Sequence, residues 1–279
     1  MDPEPESAGI ISGAESIDLQ EGSSHGVLLL HGFGDTPQTL SLLARDLHSA
    51  GYGVRAPLLP GHGRTVGSFV ISRRSNWLAF ARNELEMMQR RYAAISVGGL
   101  SMGGALAAIL AAQQKEISAL ILLAPYFDMP IDHRIAAASH WIWGPAAGVR
   151  GSRSPGSIRD PDERVKNLGY GVYSGRLLYE LWRLAITARK SLRSIRAPTL
   201  LIQSRQDPRI APEVATRAYA ELGAAAKRMV WIDEGGHIIT VDYGRSRVFS
   251  EVRDWLIAHM PSAGSADALR GVGGERSDS

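Results

Sequence analysis

Ala94-Ile95-Ser96-Val97-Gly98-Gly99-Leu100-Ser101-Met102-Gly103-Gly104-Ala105-Leu106-Ala107-Ala108 joins an apolar run of strand length to a run of small residues. At the junction stands the pentapeptide Gly99-Leu100-Ser101-Met102-Gly103, a G-x-S-x-G pattern. The pattern alone is a weak signal in a chain with 30 glycines among 279 residues. Its setting makes it specific, because an apolar strand enters it and a small-residue helix leaves it. A sharp strand-to-helix turn holds the serine in a strained backbone conformation, and the flanking glycines let neighbouring backbones approach closely. The Ser101 hydroxyl then projects at the C-terminal edge of a sheet, beside a helix N-terminus whose N–H groups stabilise developing negative charge.

Outward from this junction, short apolar runs alternate with helix-length amphipathic segments. That is the pattern of a mostly parallel sheet with helices on both faces. The clearest strands fall at 27–30, 94–100, 119–124, 199–203 and 229–232, with a further one near 52–58. Leu78, Ala81, Leu85, Met88 and Tyr92 recur at spacings of three and four, which predicts a helix after Ser75, with Ser75 as its N-cap. From residue 124 to Pro198 the rhythm breaks. A structureless loop of that length is improbable in a compact domain, so we read residues 128–189 as a helical cap inserted into a core made of 14–127 and 190–260. A helical stretch is expected at 177–189, and a Trp-bearing stretch stands at 140–144. Trp141, Ile142 and Trp143 are candidates for lipid contact, although cap-to-core packing is their expected use. Residues 128–196 carry 12 basic and 6 acidic residues, read as a solvated face, with attraction of anionic surfaces or acidic substrates as the sharper alternative. Residues 1–13 read as a flexible extension and 261–279, small, polar and Gly/Ser-rich, as a disordered tail.

A serine hydroxyl needs a base to take its proton. Of eight histidines, His237 stands in Glu234-Gly235-Gly236-His237, directly after the last expected core strand, where a glycine turn aims the ring back over the sheet. The base in turn needs a carboxylate to fix its tautomer. Asp207 follows the strand at 199–203 in Ser204-Arg205-Gln206-Asp207-Pro208. Asp128, in the equivalent loop one strand earlier, is the competitor. The chain order Ser…Asp…His favours Asp207. His31-Gly32-Phe33-Gly34 follows the first strong strand, and its turn directs the Phe33 N–H toward the site, to pair with that of Met102 as an oxyanion hole. Gly32, His62 of Pro60-Gly61-His62-Gly63, and Trp143 are candidate substrate-binding residues, with a purely structural turn as the other reading of His62.

Composition sets bounds on these readings. Cysteine is absent, which excludes disulfides, a cysteine nucleophile and thiolate metal sites, and suits a reducing compartment. Net charge is +3, too small for a nucleic-acid footprint. The longest apolar runs are far too short to span a bilayer. Met1 to Gly9 are acidic and Pro-bearing, without a basic or apolar leader region, so a cytoplasmic location is expected. At this length roughly 75% of the unfolded chain's surface can be buried, so the core needs no staples.

The stretches Leu28-Leu29-Leu30-His31-Gly32-Phe33-Gly34, Leu59-Pro60-Gly61-His62-Gly63, Gly99-Leu100-Ser101-Met102-Gly103-Gly104, Pro198-Thr199-Leu200-Leu201-Ile202 leading to Asp207, and Gly236-His237 together resemble the α/β-hydrolase superfamily. Within it the chain is similar to small bacterial carboxylesterases and monoacylglycerol lipases. The resemblance implies a triad of Ser101, Asp207 and His237, oxyanion donors Phe33 and Met102, a short helical cap, and no metal or cofactor. It implies a small-molecule ester or lipid substrate, of short- to medium-chain acids, cleaved through an acyl-enzyme. In the acid loop Gln206 stands where such enzymes commonly show a second Asp. Acyl transfer and thioester, lactone or peptide cleavage share the triad. A non-catalytic ligand-binding protein of the same fold is the rival from another class.

Overall fold

The computed structural model describes residues 9–20, 24–151 and 156–259. The expected tail at 261–279, and residues 1–8 of the expected extension, lie outside the described residues. The strands are β1 (Ile17–Leu19), β2 (His25–Leu30), β3 (Gly53–Ala56), β4 (Ala94–Leu100), β5 (Ile117–Leu123), β6 (Arg150–Gly151), β7 (Val172–Tyr173), β8 (Thr199–Ser204) and β9 (Lys227–Ile232). The helices are α1 (Ser41–Ser49), α2 (Val66–Ile71), α3 (Arg74–Arg91), α4 (Met102–Gln113), α5 (Ile131–Ala138), α6 (His140–Ala147), α7 (Pro161–Lys166), α8 (Gly175–Ser191), α9 (Pro212–Glu221) and α10 (Arg245–His259).

Seven strands form one sheet in the order β1-β3-β2-β4-β5-β8-β9. β1 pairs antiparallel with β3 and every other pairing is parallel. Parallel neighbours require crossovers, and the helices that make them cover both faces. The two-residue side-chain period divides each strand between two apolar layers. Leu28 and Leu30 of β2 join Trp77 and Leu85 of α3 and the alanine-rich α4 on one face. Val27 and Leu29 meet Leu43 and Leu47 of α1 and Val248, Val252 and Leu256 of α10 on the other. Each leucine fully buried in this way stabilises the fold by about 1.5–3 kcal/mol.

Two expectations change here. Helix α3 starts at Arg74, with Arg73 as N-cap and no side-chain cap hydrogen bond, whereas Ser75 was the expected cap. The reason is tertiary: Glu180 of α8 accepts both the Arg74 backbone N–H at 3.3 Å and its guanidinium at 2.5 Å, which anchors the helix start from outside. Residues 9–13, expected to be flexible, are tied to the core where the Ile11 N–H donates to the Gly63 carbonyl at 2.7 Å. β1 follows them, and three residues are too few to show a period-two pattern.

The segment expected to form a cap, residues 128–189, holds α5 to α7, the β6–β7 ribbon and most of α8, which runs on to Ser191. Helix α8 lays Leu177, Leu181, Leu184 and Ala188 into the same apolar layer as α4. Trp141 and Ile142 do not pack on the core as expected: they are 70% and 63% exposed, because α6 turns them outward. No helix among the described residues is long and apolar enough to cross a membrane.

Candidate active site

Ser101 sits at the β4–α4 junction with φ 54° and ψ −114°. Its N–H donates to the Leu123 carbonyl at 2.9 Å, and its own carbonyl accepts from Tyr126 at 3.0 Å and from Ala105 at 3.2 Å. The turn is therefore stitched to β5 on one side and starts the helix on the other. Gly99 and Gly103 are required by close approach. A Cβ on Gly103 would collide with the Leu30 carbonyl, and one on Gly99 with the Gly103 backbone. Ser101 is 6% exposed.

His237 follows β9 in a loop whose Gly235 has φ 78°. Its Nδ1–H donates to Asp207 Oδ2 at 2.7 Å, across a pair whose Asp207 side chain is fully buried. The same oxygen accepts from Gln203 Nε2 at 2.8 Å, while Oδ1 accepts the N–H groups of Arg209 at 2.7 Å and Ile210 at 3.0 Å. Burial works to raise the Asp207 pKa. The His237 charge, its hydrogen bond and the two backbone N–H groups outweigh that and hold the carboxylate below its ordinary range. Asp128, the competing acid, is instead engaged by Arg134 at 2.7 Å, Arg217 at 3.4 Å and Arg189 at 3.8 Å where the cap leaves the core. Gln206 donates to the Asp233 carbonyl at 2.6 Å and accepts from Arg159 of the cap, so it ties the acid loop to its surroundings.

Gly32 lies against the serine: the position of a Gly32 Cβ is 3.6 Å from Ser101 Cβ. Among the described residues neither the Phe33 N–H nor the Met102 N–H has an acceptor. The Phe33 ring packs on Phe69 and Trp77, which fixes the turn that carries it. His31 fixes it from behind, with Nδ1–H donating to the Gly32 carbonyl at 2.9 Å and Nε2 accepting from the Leu59 N–H at 3.0 Å. Burial, and then the neighbouring His62, lower the His31 pKa well below its usual value, so the ring stays neutral.

Two of the candidate substrate-binding residues are elsewhere. His62 is fully buried between His31, Phe69 and Trp77, and burial lowers its pKa to about 4. It is a packing residue of the Pro60-Gly61-His62-Gly63 turn, since its Nδ1–H is spent on the Pro60 carbonyl at 3.1 Å. Trp143 donates from Nε1 to the Ala136 carbonyl at 2.8 Å and lines an open depression of about 660 Å³ shared with Asp132, Ile135, Arg150, Tyr173 and Leu178.

The sequence reading missed one carboxyl group, Asp35. A Cβ at Gly32 would come within 2.7 Å of Asp35 Oδ2, and one at Gly169 of the cap within 2.7 Å of Oδ1. Burial pushes its pKa up to about 6, against the opposing charges of His237 and Arg209. Its place two residues after Phe33 in the same turn was the available signal.

A largely parallel sheet of this order, bearing a serine on a strained turn and an imidazole–carboxylate pair at the ends of later strands, defines an α/β-hydrolase of the serine hydrolase class. The chain belongs to the family described as serine aminopeptidase, S33 (Hydrolase_4), whose model matches residues 23–243. It is 30% identical over 251 residues to a thermostable monoacylglycerol lipase of Bacillus sp. (strain H-257), covering 90% of this chain and 97% of the relative. It is 26% identical over 242 residues to a carboxylesterase of Bacillus subtilis (strain 168), covering 85% and 94%. Among solved structures, one reported with the metagenome-derived lipolytic enzymes LipS and LipT superposes with a TM-score of 0.82 at 28% identity, covering 90% of this chain and all of that one. The monoacylglycerol lipase of Paleococcus ferrophilus shares the fold, with a TM-score of 0.76 at 22% identity over 88% and 98% of the two chains.

Proposed function

We propose that this carboxylic ester hydrolase works through an acyl-enzyme on Ser101, with His237 as the base, Asp207 as its orienting carboxylate, and the N–H groups of Phe33 and Met102 as oxyanion donors. The observation that carries the reading is the 2.7 Å bond from His237 Nδ1 to the buried Asp207, which occupies Nδ1 and leaves Nε2 as the ring nitrogen available to act as base. His237 takes the Ser101 proton as the oxygen attacks the ester carbonyl. The tetrahedral oxyanion is held by the two N–H groups at a helix N-terminus and a strand-end turn. His237⁺ then protonates the departing alcohol; in the second half His237 takes a proton from the water that attacks the acyl carbonyl and returns it to Ser101 Oγ as the acid departs. Asp207, kept ionised by its donors, stabilises the imidazolium in both halves.

For the substrate we propose esters of short- to medium-chain acids, monoacylglycerols among them. The similarity to a relative named as a monoacylglycerol lipase supports this. The test is release of p-nitrophenol from acyl esters of graded chain length, and of glycerol from monoacylglycerols, by the wild type and Ser101→Ala. Turnover by the wild type alone supports the nucleophile, and the chain-length optimum reports the pocket. Equal turnover by both proteins overturns the Ser101 assignment. Cleavage of aminoacyl p-nitroanilides without ester cleavage would instead favour the peptidase chemistry in the family's description.

A further inference from the structure

The two chain neighbours of His237 are both fastened to the cap. On one side, the Ile238 N–H donates to the Ser157 carbonyl at 2.9 Å. On the other, the Gly236 N–H donates at 2.6 Å to Oδ2 of Asp242, and that same oxygen accepts the Arg159 N–H at 2.8 Å. Oδ1 of Asp242 accepts the Asp160 N–H at 2.9 Å and the Tyr243 N–H at 2.8 Å. Asp242 is fully buried, and among the described residues it accepts hydrogen bonds from backbone N–H groups alone. Two of the four come from the cap segment just before α7, and one from the residue that precedes His237. The fit leaves no slack, since a Cβ on Gly236 would collide with the Gly156 carbonyl. The acid loop is reached from the same segment, because Arg209 Nε donates to Ser157 Oγ at 2.9 Å while the Arg209 N–H holds Asp207.

We propose that Asp242 is a positioning residue that makes the placement of His237 depend on docking of cap segment 156–160. The proposal rests on the assignment of His237 as the base. A charged acceptor shared by several N–H donors in a dry site forms strong bonds, and losing it leaves those donors buried and unpaired. Gly236 and Arg159 therefore stay or leave together. Any opening of the cap pivots about a segment 156–160 that remains in place during turnover.

The test is Asp242→Asn, which keeps the shape but sets an NH₂ group against N–H donors. Ester hydrolysis is measured beside amide hydrogen exchange resolved over 156–160, 234–243, β4 and β8. The expected result is a loss of kcat of about 10- to 100-fold with KM changed much less, as for a slightly misplaced base. Exchange at Arg159, Asp160, Gly236 and Ile238 rises together while β4 and β8 stay protected. Faster exchange confined to 159–160, or a raised KM at unchanged kcat, would overturn the proposal and leave Asp242 as a cap clip alone. Should the variant not fold, wild-type exchange decides: a shared opening rate for Arg159, Asp160 and Gly236 supports the coupling, and separate rates refute it. Full activity in His237→Ala would remove the base assignment while leaving the exchange result standing, so the two failures are distinguishable.

Discussion

Gln203 Nε2 lies 2.8 Å from Asp207 Oδ2, the same oxygen that holds His237, so a strand residue and a loop imidazole share one acceptor. Gln203 is fully buried, and its Oε1 has no partner among the described residues. Its amide thus gains one charge-assisted bond and leaves one buried acceptor unsatisfied, a cost of about 1–3 kcal/mol. Gln203→Leu removes both, so the melting temperature stays near the wild type. Asp207 keeps its bonds from Arg209, Ile210 and His237, and kcat falls by less than about tenfold. Asp207→Asn, which presents the wrong partner to the imidazole, costs about 10⁴. Steady-state kinetics and thermal unfolding of the two variants check this; comparable losses in kcat would make Gln203 indispensable to the acid.

Ser101 pays for its position in backbone strain, since a non-glycine residue at φ 54° and ψ −114° lies outside the ordinary regions. Glycine adopts this conformation freely. Ser101→Gly is expected to raise stability by about 1–2 kcal/mol while abolishing turnover, and Ser101→Ala to abolish turnover with no such gain. Urea denaturation of the three proteins tests the difference. Identical midpoints would show that the turn is not strained.

The sheet was legible because parallel strands are buried on both faces and read as continuous apolar runs, as in β2, β4, β5 and β8. Ser101, Asp207 and His237 could be named because each stands just past such a run, in a fixed chain order. What was illegible depends on partners remote in sequence. Glu180 sets the start of α3 from 106 residues away, and Asp242 receives its cap bonds across 83 and 82 residues. His62 was ambiguous in the sequence, because a glycine-flanked histidine after a strand looks the same whether it faces a cleft or, as here, an aromatic cluster. Asp35 carried no motif of its own.

Close approach at the elbow predicts a sharp contrast between two glycines. A Cβ at Gly103 meets the Leu30 backbone carbonyl, which belongs to a central strand and cannot yield. Gly103→Ala should destabilise by about 4 kcal/mol or more, enough to prevent soluble expression. Gly67 lies exposed in α2, where a Cβ would meet only Thr65 Oγ1, at an ordinary 3.7 Å. Gly67→Ala should stabilise by about 0.5–1 kcal/mol. Soluble yield and thermal unfolding of both variants decide, and a well-folded Gly103→Ala protein would refute the packing argument.

Asp35 predicts a pH dependence of stability. Burial raises its carboxyl from 3.8 to about 6 in the folded chain. The folded state therefore binds this proton more tightly than the unfolded state does. Its contribution is neutral below about pH 4, turns increasingly unfavourable as pH rises from about 4 to 6, and is constant above that. The full cost is about 3 kcal/mol at most, trimmed because Asp35 keeps partial contact with solvent. Asp35→Asn removes the charge and so escapes the cost. It should be more stable than the wild type at about pH 7–8, with the advantage shrinking through about pH 6 and vanishing near pH 4. Denaturant unfolding of both proteins across that range measures it. A stability difference that does not vary with pH would mean that the Asp35 carboxyl does not titrate there, and that its site beside Gly32 is better solvated than its burial implies.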